Sequence, residues 1–378
     1  MKLSRSLKIA AAAAAVTLFA AQPAFAGITI NGSGSTFATP LISACAPAWQ
    51  STHGMTINYT GGGSGTGRKN ADTGINDFNF SDASYTPAKS TVVHIPVIAA
   101  PVAIAYNLNG ASGQLYLSQK TLSDILAGTV TKWNDSEIAA DNTGTKSTVT
   151  YKKDAKGRVL KVKGKPVVLA KTQGTAGIAL PNETIRVIYR ADSSGTTQNL
   201  ANLLIAQFPS VWTKASNGAF SSVFPGSSIP LSFSSASGSA GVSALAKSTP
   251  YSITYVESSY AASSGLGKAA IKNASGNFQL PTAAGTAAFL NSATAATNGA
   301  LTFNYNTTDA GAYVLGIVSY GLVDTAITGA YAQAVTSFFK YLLTDACVKA
   351  HPALEYSTVS GSLLTVDNAL VAKFPGAK

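Results

Sequence analysis

Residues 185–208 read IRVIYRADSSGTTQNLANLLIAQF. Ile185–Tyr189 is a short apolar run with the alternation of a strand. Arg190 to Thr197 is a patch of small hydroxyl and glycine residues holding one arginine and one aspartate. From Thr196 to Phe208, the residues Leu200, Leu203, Leu204 and Phe208 recur at helical spacing. Strand, Gly/Ser/Thr loop and helix thus follow within 24 residues, which is the unit of an α/β fold. Arg190 and the hydroxyls form a set of donors, and the helix start adds unpaired N–H groups and a partial positive charge. Asp192 is the odd member of that set.

The same unit occurs twice more. Ile28–Ile30 leads into NGSGST and a helix from about Phe37 to Ser51, with Leu41, Ile42, Cys45 and Trp49 on one face. Met55–Tyr59 leads into GGGSGTG and a further helix start. An oxyanion held between such corners needs few full charges. Each corner alone is what an ordinary turn or N-cap also looks like. Three of them with an arginine carry more weight.

Elsewhere strands and helices alternate. Phe78–Asp82 reads as a strand end. Val92–Tyr106 is nearly continuous apolar sequence, expected of a buried strand, and Pro96 and Pro101 are expected to break it into pieces. Thr121–Gly128 reads as a short helix stopped by Gly128, Ser252–Val256 and Tyr313–Tyr320 as strands, and Ala332–Leu343 as a helix. Residues 143–182 differ in character. Nine of the chain's 27 Lys and Arg lie between Lys146 and Lys171, in an alternating stretch with a turn expected at residues 154–157. This reads as a basic β-hairpin inserted at the surface. Such a ribbon protects an exposed edge from aggregation, or else it docks an acidic partner.

The ends bound the compartment. Lys2, Arg5 and Lys8, an apolar run too short to span a bilayer, and Ala24-Phe25-Ala26 read as a secretory signal peptide over residues 1–26. The chain from Gly27 to Lys378 is long enough for two domains at about 150 residues each. Charged residues are 11% and apolar ones 46%, a globular composition, and the net charge is +11. A positive balance suits an anionic ligand but defines no site. Cys45 and Cys347 are the only cysteines. Export favours a disulfide between them; two buried thiols is the alternative.

The remaining chemistry is sparse. His53, His94 and His351 are scattered without metal-ligand spacing, and no Gly-x-Ser-x-Gly elbow occurs. Gly62–Lys69 departs from a nucleotide P-loop, since Arg68 stands where the lysine belongs and no Ser or Thr follows Lys69.

The ordered set GSGSTFATPL, YTGGGSGTG, SDAS, TLSDILAGTVTKWND, YRADSSGTT and ITYVESSYA, with ALEYSTV near the C-terminus, resembles the periplasmic phosphate-binding proteins of high-affinity phosphate ABC transporters. The resemblance implies an α/β, two-domain hinged periplasmic binding protein fold of type II, with mixed sheets flanked by helices. Domain I would comprise residues 27–98 plus 319–378, and domain II residues 99–318. The crossings would lie near Val97–Val102 and Ile317–Ser319. That division places Cys45 and Cys347 in one domain.

By the same resemblance, phosphate contacts fall on Thr36, Phe37, Ser64, Asp82, Arg190, Ser194, Gly195 and Thr196. Asp192 would act behind Arg190, as its brace or as a helix cap. Monohydrogen phosphate carries one proton that needs an acceptor, and Asp82 is the candidate; sulfate would meet that carboxylate as a repulsion. Ser84 stands where the family usually has proline. The resemblance implies no cofactor and no catalytic residue. Its partners would be inorganic phosphate and an inner-membrane ABC permease with its ATPase, not nucleic acid, for a soluble periplasmic monomer. A secreted phosphatase, a surface protein acting through the basic hairpin, and sulfate as ligand are the alternatives.

Overall fold

The computed structural model describes residues 27–152, 160–162, 165–175 and 178–374. Residues 1–26, with the signal-peptide reading, and the expected turn at 154–157 lie outside them.

One mixed sheet of ten strands has eight along its main path. They are β1 (Thr29–Gly34), β2 (Thr56–Gly61), β3 (Phe78–Ser81), β4 (Val92–Asn107), β5 (Arg186–Arg190), β6 (Ser234–Ala236), β7 (Ser252–Glu257) and β8 (Gly316–Asp324). Across the sheet the order is β6-β5-β7-β4-β8-β3-β1-β2. β1 runs parallel to β2 and β3, and β5 runs parallel to β6 and β7. β4 is antiparallel to both neighbours, β8 and β7. The flanking helices that matter for the site are α1 (Thr39–His53), α2 (Ser64–Thr73), α3 (Gly195–Gln207), α4 (Gly238–Ser248) and α5 (Gly329–Leu342).

β4 joins the two halves of the sheet. Its residues Val92–Pro101 pair with β8 and its residues Val102–Asn107 pair with β7. The expected break at the prolines does not occur: the strand is continuous over 16 residues. A proline lacks the N–H that a ladder needs, so it is tolerated where pairing is irregular. Pro96 sits at such a place, because the β8 register shifts between Ser319 and Tyr320 and leaves Val97 unmatched. Pro101 is the last residue paired to β8 before the strand changes partner. Both prolines therefore mark joints within one strand.

The core follows from the apolar runs. β4 is buried along all but its last residue. Phe78 of β3 packs edge-on against Phe80 and against Phe339 of α5, Phe80 stacks on Phe339, and Phe338 and Trp49 continue the cluster. Such pairs contribute about 0.5–1.5 kcal/mol each beyond their area. A disulfide joins Cys45 of α1 to Cys347, with Cα atoms 5.6 Å apart.

The basic stretch does contain a two-stranded antiparallel ladder, Thr145–Tyr151 against Val168–Thr175. A second, shorter ladder joins Lys161–Val162 to Lys165–Pro166. The far end of the first ladder is anchored to the body. Tyr151 is buried, its hydroxyl bonds Asp309, and it accepts the Gly311 N–H at 2.7 Å. The expected helix at Thr121–Gly128 spans Gln119–Ala127, capped by Ser118 and closed by Gly128 at φ 77°. The last expected strand begins later, at Gly316. Tyr313 instead lies in the loop before it and donates its hydroxyl to the Val102 carbonyl at 2.7 Å.

Candidate oxyanion site

Three loops with small side chains meet where β1, β2 and β5 end and α1, α2 and α3 begin. The first brings Ser35, Thr36 and Phe37, the second Gly63 and Ser64, the third Asp192 to Thr196. A fourth corner, β6 into α4, brings Ser239. Ser239 ties the set together: its hydroxyl lies 2.9 Å from Thr36 Oγ1, and its N–H donates to that oxygen at 3.2 Å. The same hydroxyl accepts Arg190 Nη1 at 3.3 Å.

Arg190 is only 3% exposed. Asp192 holds it as a fork, accepting Nε at 2.7 Å on Oδ1 and Nη2 at 2.5 Å on Oδ2. Such a bidentate pair fixes the plane of the guanidinium. Burial disfavours the Asp192 carboxylate, but the hydrogen bonds and charge of Arg190 outweigh it and hold its pKa below the ordinary value. Asp192 also accepts the Gly238 N–H at 2.9 Å, so the helix it caps is α4. The cap of α3 is Ser194, whose Oγ accepts the Thr197 N–H at 3.2 Å. That leaves Gly195 and Thr196 in the first turn, where N–H groups have no intrahelical acceptor.

Asp82 follows the end of β3 and is 2% exposed. Its Oδ1 takes the hydroxyls of Ser35 and, at 2.7 Å, Ser319; its Oδ2 takes Ser64 at 3.1 Å. Burial raises its pKa, opposed by those hydroxyls and by the positive charge of Arg190. The Asp82 carbonyl accepts Asn199 Nδ2 at 2.5 Å, and the same amide reaches the Gly195 carbonyl at 2.9 Å. Phe37 buries its ring, and its carbonyl accepts the Tyr356 hydroxyl at 2.5 Å. It can face a ligand only through its N–H.

The loops from the two halves of the sheet touch. Gly65 N–H donates to Ser193 O at 3.0 Å, and Arg68 Nη1 donates to Gln198 Oε1 at 2.7 Å. A Cβ on Gly195 would lie 2.5 Å from Ser64 Oγ and 2.8 Å from Asp82 Cβ. Glycine is what permits that approach.

The structure thus gathers Thr36, Ser64, Asp82, Arg190, Gly195 and Thr196 at one crevice beyond the strand ends, the usual place for a ligand in an open α/β sheet. Sequence reasoning missed Ser35, Ser239, Ser319 and Glu257. The Ser239 corner had a readable signal, since SASGSAG precedes an apolar helical stretch much as the other corners do. Glu257 was a lone acid inside the apolar ITYVE strand. Ser319 had no local signal, because it reaches Asp82 from 237 positions away.

The family model for the PBP superfamily domain matches residues 20–346. The chain belongs to that superfamily. Among its curated relatives, phosphate-binding protein PstS 3 of Mycobacterium leprae is 33% identical over 254 residues, covering 64% of this chain and 57% of that one. Phosphate-binding protein PstS of Xylella fastidiosa is 27% identical over 322 residues, covering 83% and 77%. This PBP-superfamily chain therefore spans under two thirds of the length of the mycobacterial relative. A solved high-affinity periplasmic phosphate-binding protein bound with phosphate superposes with a TM-score of 0.64 at 19% identity, covering 90% of this chain and 93% of that one. The fold is that of the type II periplasmic binding proteins, α/β with mixed sheets flanked by helices. No helix among the described residues is long and apolar enough to cross a membrane.

Proposed function

We propose that this chain is a receptor for inorganic phosphate, held between the two halves of the sheet and delivered to an ABC-type import permease with its ATPase. The observation that carries the reading is Asp82: one buried carboxylate set among hydroxyls, facing the arginine-bearing loop. Thr36, Ser194 and Arg190, with the helix-start N–H groups of Phe37, Ser64, Gly195 and Thr196, are the donors for the ligand oxygens, while the hydroxyls of Ser64 and Thr196 donate to Asp82 and Glu257. A carboxylate has about four acceptor sites. Three of those on Asp82 are taken by serines, which leaves one for the proton of monohydrogen phosphate. The relatives named phosphate-binding proteins support the same ligand.

Domain I in this reading is residues 27–98 with 319–378, domain II is residues 99–318, and the hinge lies near Val97–Val102, where β4 changes partner, and near Ile317–Ser319. Residues 1–26 export the chain to the periplasm, where it works as a monomer. The role is binding, not catalysis.

Titration calorimetry of the chain from Gly27 with phosphate and sulfate tests the proposal. Saturable binding of phosphate at micromolar protein, tighter than sulfate by at least tenfold, is expected. No binding of phosphate would end the reading.

A further inference from the structure

Glu257 is the last residue of β7, paired with Val102 where β4 has just changed partner. Its surface is 0% exposed. One oxygen, Oε1, accepts the Thr196 hydroxyl at 3.4 Å, a long bond. The other, Oε2, has no hydrogen-bond partner among the described residues. Charge faces it from several elements. Arg190 of β5 and Asp82 act on it through space, and the Ser239 hydroxyl on α4 and its own backbone N–H help to hold the ionised form. Tyr260 from the following helix and Tyr356 from the C-terminal segment also face it. Lys268, hydrogen-bonded to the adjacent Ser258, is paired with Glu355 at 2.9 Å.

The buried charges of the cradle do not balance. Against the buried guanidinium of Arg190, and the half-buried one of Arg68 that acts on Asp82 from the rim, stand Asp192, Asp82 and Glu257, and the proposed ligand adds a dianion. A dry site cannot hold that excess of negative charge without taking up a proton. Hydrogen bonding decides which carboxylate takes it. Asp192 is locked ionised by the two N–H groups of Arg190. Asp82 receives three hydroxyls. Glu257 receives the long Thr196 bond, with some support from the Ser239 hydroxyl, and its Oε2 is bare, so it loses least by becoming neutral.

We propose that Glu257 is the proton-accepting positioning residue of the oxyanion site: closure around a dianion is coupled to transfer of one proton from the buffer to its carboxylate. No bond to the ligand forms or breaks. The neutral acid keeps an oxygen for the Thr196 hydroxyl and removes a repulsion from the cradle. In the same direction, burial pushes the Glu257 pKa up to about 7, despite the opposing charge of Arg190. The inference rests on the oxyanion reading above and goes beyond it, since it predicts what the protein does with protons and not only which anion it holds.

The test is calorimetry of the chain from Gly27 with inorganic phosphate at about pH 8.5, where the ligand is already almost wholly dianionic, in two buffers of different ionisation heat. The wild type is expected to take up a substantial fraction of one proton per anion bound. Glu257→Gln is expected to lose that uptake whatever its affinity. Sulfate, which carries no proton, should show uptake in the wild type too. Phosphate binding with no uptake, or with uptake retained in Glu257→Gln, overturns the Glu257 inference alone; no binding of either anion overturns it together with the oxyanion reading. If Glu257→Gln does not bind, the infrared difference spectrum of the wild type decides. A protonated-carboxyl band that grows on anion addition supports the inference, and its absence refutes it.

Discussion

At the scale of residues, two aspartates that look alike in sequence do different work. Asp82 accepts three hydroxyls and is the carboxylate to which the proposal assigns the ligand's proton; Asp192 holds the guanidinium of Arg190. Asp82→Asn therefore narrows the preference for phosphate over sulfate, because the amide can donate to a bare oxyanion as readily as it accepts from a protonated one. A competition assay measures the ratio, and an unchanged ratio would refute the acceptor role. Asp192→Asn loosens Arg190 and weakens both anions together, by about tenfold, roughly 1.4 kcal/mol. A selective loss of one anion in the same assay would count against the brace. The pairing of Arg190 with Asp192 was legible because the two stand two positions apart on one loop. The partners of Asp82 were only partly legible, since Ser319 arrives from the far end of the chain.

Elements decide how closely the corners approach. In Gly195→Ala, at the start of α3, the new methyl meets Ser64 Oγ at 2.5 Å. Because the clash lies between the two halves of the sheet, phosphate affinity should fall by more than tenfold while the melting temperature without anion stays within about a degree. Calorimetry and a thermal melt separate the two effects; an unaffected affinity would show that the loops need not approach so far.

The disulfide is another element-scale link, pinning α1 to the short helix Ala346–Ala350. Replacing both Cys45 and Cys347 with alanine is expected to cost about 2–4 kcal/mol with little effect on anion affinity. Denaturant midpoints with and without phosphate would test this, and a loss of affinity at unchanged stability would contradict it. Most strands and helices on the sheet were visible from apolar periodicity. The prolines of β4 misled, because a sequence does not say where a strand's pairing shifts register or changes partner. α4 was overlooked because its glycine- and serine-rich start reads as loop until the strand before it is seen.

Across the whole molecule, a buried acid far from the cradle sets a limit on stability. Asp367, on the helix Ser362–Val371, is fully buried, and neither carboxylate oxygen has a partner among the described residues. Burial pushes its pKa up to about 8. The folded value lies above the unfolded one, so its contribution is fully present below the ordinary carboxylate pKa and is lost as pH rises through about 8. Wild-type stability should therefore fall as pH rises from about 4 to about 8, and Asp367→Asn should be the more stable above that range by about 1–3 kcal/mol. Parallel pH profiles of melting for the two proteins would refute this.

The sequence by itself determined the α/β class, the three strand–loop–helix corners and the arginine with its brace. These are local: periodicity, small residues and short spacings fix them within a dozen positions. Only the tertiary structure decided which corners meet, that Ser239 and Ser319 join them, that β4 passes unbroken from one half of the sheet to the other, and that Glu257 stands buried with a bare oxygen. Those features depend on contacts between residues tens to hundreds of positions apart, and on how much water the packed halves leave around each charge.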